Sequence, residues 1–212
     1  MATPKILYAH GFASGPLSKK GVAVHDHLAG RGLAVELLDL RVPTPSGLRL
    51  SRMVEVVRAA IGDADRVLAI GSSLGGLTVA RAAERDPRIA KTLLLAPAFR
   101  FVERWRARMG EVEWEQWRRE GRYRVEDHAT GGTLEIDFGF MEDAARVDVE
   151  WPDVKVPTTI VHGVRDESVD PWLSRTFAAT RPHVTLVEVD DDHQLLGSID
   201  VILREVDRML EG

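Results

Sequence analysis

The pentapeptide Gly71-Ser72-Ser73-Leu74-Gly75 contains the side chain best placed for chemistry. It follows the apolar run 67–70 and precedes a helical pattern. A strand that turns into a helix through G-x-S-x-G holds its central serine on a tight turn, with the hydroxyl projecting from the fold. Neighbouring chain approaches both glycines so closely that a side chain there would collide. We therefore predict that Ser73 is a nucleophile; the alternative is a turn whose glycines serve only tight packing.

A serine hydroxyl needs a general base at neutral pH, and the base needs a group that fixes its tautomer. Asp166 and His193 each follow a predicted strand. The order Ser73, Asp166, His193 is the one expected for a triad on a doubly wound sheet. Asp170 is the competing candidate for the acid. A surface role in an acidic loop is the competing interpretation of His193.

The remaining ionisable residues favour structural roles. His10 and His162 precede glycines at strand ends, where we expect them to brace loops. The acidic run 190–193 lacks a second histidine at useful spacing, so we predict no metal site and no cofactor. The chain has no cysteine, which excludes disulfides and a cysteine nucleophile.

Two backbone amides are candidates for an oxyanion hole. Phe12 follows Gly11 in the loop after the first predicted strand, and Leu74 opens the helix after Ser73. The N–H groups of Phe12 and Leu74 are predicted to point together at a developing oxyanion, where each donor is worth about 3 kcal/mol. We expect the first strand to lie beside the strand before Ser73, so that both loops meet at the switch point of the sheet.

Six apolar runs predict the strands that position these residues. Most are short and continuous rather than alternating, which is typical of strands covered on both faces. Helical patterns lie between them, including one over 48–61 that ends at Gly62 and a last helix capped by Ser198. The alternation predicts an α/β fold with a doubly wound, mainly parallel sheet of about six strands. The six runs are Ile6–Ala9, Ala34–Leu40, Val67–Ile70, Thr92–Leu95, Thr159–His162 and Val184–Val189.

The segment 98–156 interrupts this alternation. It has about sixty residues where a crossover needs about a dozen. A hairpin is predicted within it, residues 123–126 against 133–136. We predict a helix-plus-hairpin cap over the site, because the insertion leaves the same sheet edge as Ser73; a cluster that packs only on itself is the alternative. Before the hairpin, four apolar residues predict one helical stripe: Phe101, Trp105, Met109 and Val112.

Composition narrows the class of protein. At 212 residues with 44% hydrophobic residues, the chain is expected to form one domain over 1–212. The net charge of −5 argues against nucleic acid as a partner. No apolar run approaches the roughly 18 residues that span a membrane, and no signal-peptide pattern opens the chain, so we expect a cytoplasmic location. The tryptophan-rich insertion is equally suited to meeting another subunit of a homo-oligomer.

Three segments resemble a known family. They are HGFASGPLSKK (10–20), IGSSLGG (70–76) and LAPA (95–98), which are similar to those of the bacterial YqiA/YcfP-like (UPF0227-like) esterases within the α/β-hydrolase superfamily. The resemblance implies a carboxylester or thioester hydrolase with Ser73 as nucleophile, His193 as base and Asp166 as orienter. It also implies a chain that begins at the third strand of the larger hydrolases, without their two antiparallel edge strands.

The motifs together predict a cofactor-free serine hydrolase that cleaves esters of small or medium acyl chains through an acyl-enzyme. An acyl-CoA or S-acyl-protein thioesterase with the same triad is the first alternative, in which arginines of the insertion meet phosphates or an acidic protein. A non-catalytic binding protein on the same scaffold is the second. The candidate apolar walls for the substrate are Phe12, Phe101, Trp105 and Met109.

Overall fold

The computed structural model describes residues 3–211, so the predicted domain ends at 1 and 212 lie outside the described residues. The strands are β1 (Lys5–Ala9), β2 (Val35–Leu38), β3 (Val67–Ser72), β4 (Ile89–Leu95), β5 (Arg122–Asp127), β6 (Gly132–Asp137), β7 (Thr158–Gly163) and β8 (Val184–Val189). The helices are α1 (Lys19–Ala29), α2 (Leu50–Ile61), α3 (Leu74–Ala83), α4 (Phe101–Met109), α5 (Glu111–Glu120), α6 (Gly139–Val147), α7 (Pro171–Ala179) and α8 (Ile199–Glu211).

Six strands form one parallel sheet in the order β2-β1-β3-β4-β7-β8. The predicted doubly wound sheet of about six strands is confirmed. The chain leaves β1 toward one edge of the sheet and runs from β3 toward the other edge. The carboxyl ends of β1 and β3 therefore flank the switch point, which is where ligands bind in such sheets.

Helices cover both faces of the sheet, because successive strand residues point to opposite sides. Ile6 and Tyr8 pack in the core cluster that includes side chains of α1 and α8. Leu7 and Ala9 pack in the larger cluster that includes α2, α3 and the insertion. These four side chains of β1 are at most 1% exposed, which explains the continuous apolar pattern of the central strands.

The strand bounds differ from the predicted ones by at most three residues at any end. β8 has the predicted bounds, and β4 begins at Ile89, three residues before the predicted start. β2 ends at Leu38 rather than at Leu40. The amide of Leu40 leaves the sheet because it donates to Nε2 of His10 at 3.0 Å.

The insertion holds a two-stranded antiparallel sheet, β5 and β6, as predicted. The prediction of one continuous helical stripe is wrong. Gly110 separates α4 from α5 with φ 81° and ψ 161°, a conformation no helix allows. Val112 is consequently 86% exposed rather than part of the apolar stripe. The indole N–H of Trp117 donates to the Ile136 carbonyl at 3.0 Å, which joins α5 to β6 of the hairpin.

Gly75 lies where α3 passes closest to β1. A Cβ at Gly75 would lie 2.2 Å from the Ala9 carbonyl oxygen and 2.4 Å from that of His10. We expect Gly75→Ala to lower the free energy of unfolding by about 3 kcal/mol, because backbone would have to move. Gly30→Ala is the control: Gly30 has a helical φ of −61°, and we expect a change within about 1 kcal/mol. Urea unfolding measures both, and equal effects would contradict this account.

Candidate active site

Ser73 occupies a strained turn between β3 and α3. Its φ of 53° and ψ of −116° place a non-glycine residue in a sparsely populated region, which persists only where the surroundings enforce it. The Ser73 amide donates to the Leu95 carbonyl at 2.8 Å, and its own carbonyl accepts from the Ala98 amide at 3.0 Å. A Cβ at Gly71 would lie 2.3 Å from the Gly75 carbonyl oxygen, so this turn requires glycine at both positions.

Three of the predicted site residues meet at the carboxyl edge of the sheet. Nε2 of His193 lies 3.0 Å from Oγ of Ser73, and Nδ1 of His193 lies 2.6 Å from Oδ2 of Asp166. With the proton on Nδ1, the ring donates to the carboxylate and accepts from the serine hydroxyl. This is the geometry a serine nucleophile requires. The catalytic roles of the three residues stay predictions.

Asp166 is a fully buried carboxylate with four hydrogen-bond donors around it. Oδ1 accepts from the amides of Ser168 and Val169 at 2.8 and 2.7 Å. Oδ2 accepts from His193 and from Nε2 of His162, the latter at 3.1 Å. Burial by itself would raise the pKa of Asp166, but hydrogen bonds from His162 and His193 outweigh it and hold that pKa below its usual range. The carboxylate is therefore ionised at neutral pH and able to stabilise an imidazolium.

His162 supports the acid, a role the sequence did not reveal. Its ring is fully buried, with Nε2–H shared between Asp166 and the Val169 carbonyl at 3.0 Å. Nδ1 accepts from the Ser174 hydroxyl at 2.7 Å. The only signal in the sequence was the spacing of four residues from His162 to Asp166. Asp170, the competing acid, is exposed and caps α7 by accepting from the Trp172 amide at 2.8 Å.

The loop that carries His193 packs tightly against the end of β7. A Cβ at Gly163 would lie 2.4 Å from the Asp191 carbonyl oxygen. The Asp191 carboxylate accepts from the Ser198 hydroxyl at 2.9 Å, and Leu195 is fully buried at a φ of 54°. These contacts hold the start and the end of the loop.

The predicted oxyanion donors lie on either side of Ser73. A Cβ at Gly11 would lie 3.3 Å from Cβ of Ser73, so the chain that carries the Phe12 amide runs directly beside the serine. Leu74 is the first residue of α3, where helix amides lack an intrahelical acceptor. Within residues 3–211, neither the Phe12 nor the Leu74 amide donates to another protein group. Both amides are therefore available to an anion.

His10 fixes the loop that carries Phe12. Its ring is 3% exposed, Nδ1–H donates to the Gly11 carbonyl at 2.8 Å, and Nε2 accepts from the Leu40 amide. Burial lowers the pKa of His10, which keeps the ring neutral and Nε2 an acceptor. The ring therefore joins the end of β1 to the segment after β2.

A narrow apolar crevice lies beside the two amides. Phe12 is the one predicted wall residue that lines it; Phe101 and Trp105 contact the ring of Phe12 instead, with centroids 6.3 and 5.4 Å away. Met109 is partly buried in the same core cluster. The other lining residues come from the loop after β1, the segment 40–48, α2, the start of α3 and the hairpin. The sequence did not single out those of 40–48 and of the hairpin as substrate walls. The crevice is lined by His10, Gly11, Phe12, Ala13, Ser14, Leu40, Arg41, Pro45, Leu48, Met53, Leu74, Asp127 and Leu134.

The insertion touches both sides of the site. Arg104 on α4 donates through Nη2 to the Ser168 carbonyl, in the loop that carries Asp166. Burial lowers the pKa of Arg104. The His128 amide in the hairpin turn donates to the Ala13 carbonyl at 2.8 Å. Contacts from α4 and from the hairpin thus reach the loops that carry Asp166 and Phe12.

Residues 3–211 contain neither a cluster of metal ligands nor a helix that could span a membrane. No group of three or more histidine, aspartate or glutamate side chains is arranged to hold a metal ion. In the same residues, every helix is too short or too polar to cross a membrane.

A family model described as "Uncharacterised protein family (UPF0227)" matches residues 5–209. The chain belongs to the UPF0227 family. No curated protein sequence matches it. Solved structures share the α/β-hydrolase fold of this UPF0227 chain. Mouse alpha/beta hydrolase domain-containing protein 10 has a TM-score of 0.83 and 21% identity, covering 99% of this chain and 90% of that one.

Two structures named as an esterase and a lipase share the scaffold with lower TM-scores. Est1E from Butyrivibrio proteoclasticus has a TM-score of 0.74 and 23% identity, covering 99% of the UPF0227 chain and 88% of its own. The Paleococcus ferrophilus monoacylglycerol lipase has a TM-score of 0.73 and 18% identity, and the match covers 99% of the UPF0227 chain and 96% of the lipase chain. At these identities the likeness establishes the fold.

The buried carboxylate makes the stability of the fold depend on pH. The pKa of Asp166 is lower in the folded protein than the value of about 3.9 in an unfolded chain. Its stabilising contribution is therefore complete above that value and is lost as the pH falls toward the folded pKa. We expect Asp166→Asn to lower the free energy of unfolding by about 3 kcal/mol at pH 7, and the difference to shrink between pH 4 and pH 3.

Urea unfolding of both proteins across this pH range measures the effect. Asp170→Asn is the matched control, because Asp170 is exposed and asparagine is an equally good helix cap. A difference between wild type and Asp166→Asn that stays constant down to pH 3 would contradict an ionised Asp166.

Proposed function

We propose that the protein is a cofactor-free serine hydrolase that cleaves carboxylic esters of small or medium acyl chains through an acyl-enzyme. The observation that carries this proposal is the continuous hydrogen-bonded line from Ser73 through His193 to the ionised Asp166. The scaffold it shares with structures named as an esterase and a lipase supports the same class of reaction.

In the proposed mechanism, Nε2 of His193 takes the hydroxyl proton as Oγ of Ser73 attacks the ester carbonyl carbon. The Asp166 carboxylate stabilises the imidazolium, and the amides of Phe12 and Leu74 donate to the oxyanion. As the tetrahedral intermediate collapses, the bond to the leaving oxygen breaks and His193 protonates the alcohol. The same Nε2 then takes a proton from water as the water oxygen attacks the acyl-enzyme carbonyl carbon. When this second intermediate collapses, the bond to Oγ of Ser73 breaks, His193 returns the proton to Oγ, and the carboxylic acid leaves.

We propose the crevice as the acyl site. Phe12 and Leu74, whose amides would hold the oxyanion, both line it, so the crevice lies next to the place proposed for the ester carbonyl. Its lining is mostly apolar, which suits an acyl chain. In this proposal Phe101, Trp105 and Met109 of α4 form the apolar support behind the Phe12 wall.

The same proposal assigns the insertion the role of a cap. It spans about 98–156. Arg104 contacts the loop that carries Asp166, and His128 contacts the loop that carries Phe12. Aromatic packing among its helices and hairpin, including Trp105 against Trp117 at 5.9 Å, gives the cap a core of its own. A cap at this position would exclude water from the acyl-enzyme.

The thioesterase alternative keeps the triad and changes the bond that is cleaved. Arginines of the insertion are mostly engaged with glutamates, for example Arg106 with Glu111 at 2.5 Å and Arg118 with Glu115 at 2.7 Å. These pairs leave fewer cations for the phosphates of coenzyme A. Oxygen esters are therefore favoured, and turnover of matched ester and thioester substrates separates the two functions. A binding protein without turnover would have no use for the aligned hydroxyl and imidazole.

Replacing the nucleophile tests the proposal. We expect Ser73→Ala to lower the kcat for p-nitrophenyl esters by at least about 10⁴-fold and to abolish labelling by a fluorophosphonate. Ser51→Ala is the matched control, because that hydroxyl donates to Asp143 away from the site. Labelling that persists in Ser73→Ala would remove Ser73 from the mechanism.

Filling the crevice tests the acyl site. Leu134 is half-buried in the hairpin wall, so we expect Leu134→Trp to shorten the chain that fits. The kcat/KM for p-nitrophenyl hexanoate should fall about tenfold relative to that for the acetate. Val112→Trp, at a site 86% exposed, should leave both values unchanged. A uniform loss for both esters would place the acyl chain elsewhere.

A further inference from the structure

Lys20 is buried where its charge is unfavourable. It is the second residue of α1, behind the Ser18 cap, and is 8% exposed. The N-terminus of a helix carries partial positive charge, so a cation there is repelled. Removing an ammonium from water costs further free energy. Such a placement is typical of a residue retained for function rather than for stability.

The ammonium reaches across to the loop that carries the proposed base. Nζ of Lys20 donates to the Gln194 carbonyl, directly after His193, at 2.7 Å. Among the described residues, Lys20 is the only one whose side chain donates to a backbone carbonyl of residues 192–195. None of the described carboxylates forms a salt bridge with it.

Three carboxylates act on Lys20 from farther away: Asp192, Asp166 and Asp191. Burial outweighs their attraction and lowers the pKa of Lys20 to about 8. The amine is thus still mostly charged at pH 7, and it lies within the field of the proposed catalytic acid.

The hydrogen bonds inside the loop fix its shape but not its placement toward the serine. The Gln194 amide donates to the Asp192 side chain at 2.7 Å, and the Leu195 amide donates to the Asp192 carbonyl at 3.3 Å. The Lys20 contact instead joins the loop to α1, the helix that follows the loop of Phe12. It connects the segment with the proposed base to the segment with a proposed oxyanion donor.

We propose that Lys20 is a positioning residue whose bond to the Gln194 carbonyl holds the His193 ring against Ser73. This inference rests on the proposed function. Without that bond the loop keeps its fold, but Nε2 of His193 spends less time within reach of the hydroxyl. The proton transfer that activates Ser73 becomes slower, whereas the crevice that binds the substrate is unchanged.

Lys20→Met removes the charge and the donor while keeping the length of the side chain. We expect kcat and the rate constant of fluorophosphonate labelling to fall about 10- to 100-fold, with KM unchanged. The Tm should stay equal or rise, because replacing a buried charged group by an apolar one is often stabilising. Lys19→Met, at the exposed neighbouring lysine, is the matched control and should behave as wild type.

Proton NMR gives a readout that does not require turnover. The short hydrogen bond from Nδ1 of His193 to Asp166 should give a strongly downfield ring N–H signal, assigned by its loss in His193→Ala. In folded Lys20→Met we expect this signal to broaden or vanish.

Native kcat together with an unchanged downfield signal in Lys20→Met would overturn the proposal. So would a loss of kcat that follows a lowered Tm and disappears when the variant is assayed well below that Tm. An inert wild type, or activity that survives Ser73→Ala, would instead defeat the proposed function, and the NMR signal would still decide whether Lys20 positions the ring.

Discussion

The close approach of α3 to the ends of β1 and β3 is the constraint on which the site depends. Gly71 and Gly75 leave no room for a Cβ against neighbouring backbone. The chain can turn there only with Ser73 in a conformation that a non-glycine residue rarely adopts. That turn exposes the hydroxyl and brings Gly11 against the serine. It also starts α3 at Leu74, whose amide donates to no other group within residues 3–211. The proposed nucleophile and both oxyanion donors are thus positioned by one steric requirement.

Charges and hydrogen bonds around Asp166 and His193 orient the other groups of the site. Asp166 is buried and ionised because histidines and backbone amides satisfy it, and its charge fixes the proton of His193 on Nδ1. His162 and His10 each have one tautomer, because one ring nitrogen donates to an oxygen and the other accepts a hydrogen bond. Lys20 adds a cation that donates to the Gln194 carbonyl, in the loop that carries His193. The site is therefore a set of buried polar groups in which each member restricts the next, which is the condition for a preorganised centre.

Local features were predictable from the sequence, and so was the meeting of Ser73, Asp166 and His193, because known motifs and chain order point to it. Long-range contacts that no motif marks were not predictable. The turn around Ser73 lies within residues 71–75, and the strands are continuous apolar runs, so both can be predicted from short stretches of sequence. The split between α4 and α5 was missed because the apolar spacing up to Val112 fits a helix, whereas the φ of Gly110 is invisible in the pattern. The hydrogen bond from Lys20 to Gln194 joins residues 174 positions apart, and no pattern in the sequence predicts it. The crevice was not predictable either, because several separate segments form it only after folding.

Rapid mixing with p-nitrophenyl acetate, followed by mass spectrometry of the quenched protein, tests the central claim most directly. The account predicts a burst of p-nitrophenol and one acetyl group per chain on the peptide that contains Ser73, both absent when His193 is replaced by alanine. An acetyl group on another residue, or a burst that does not depend on His193, would contradict it.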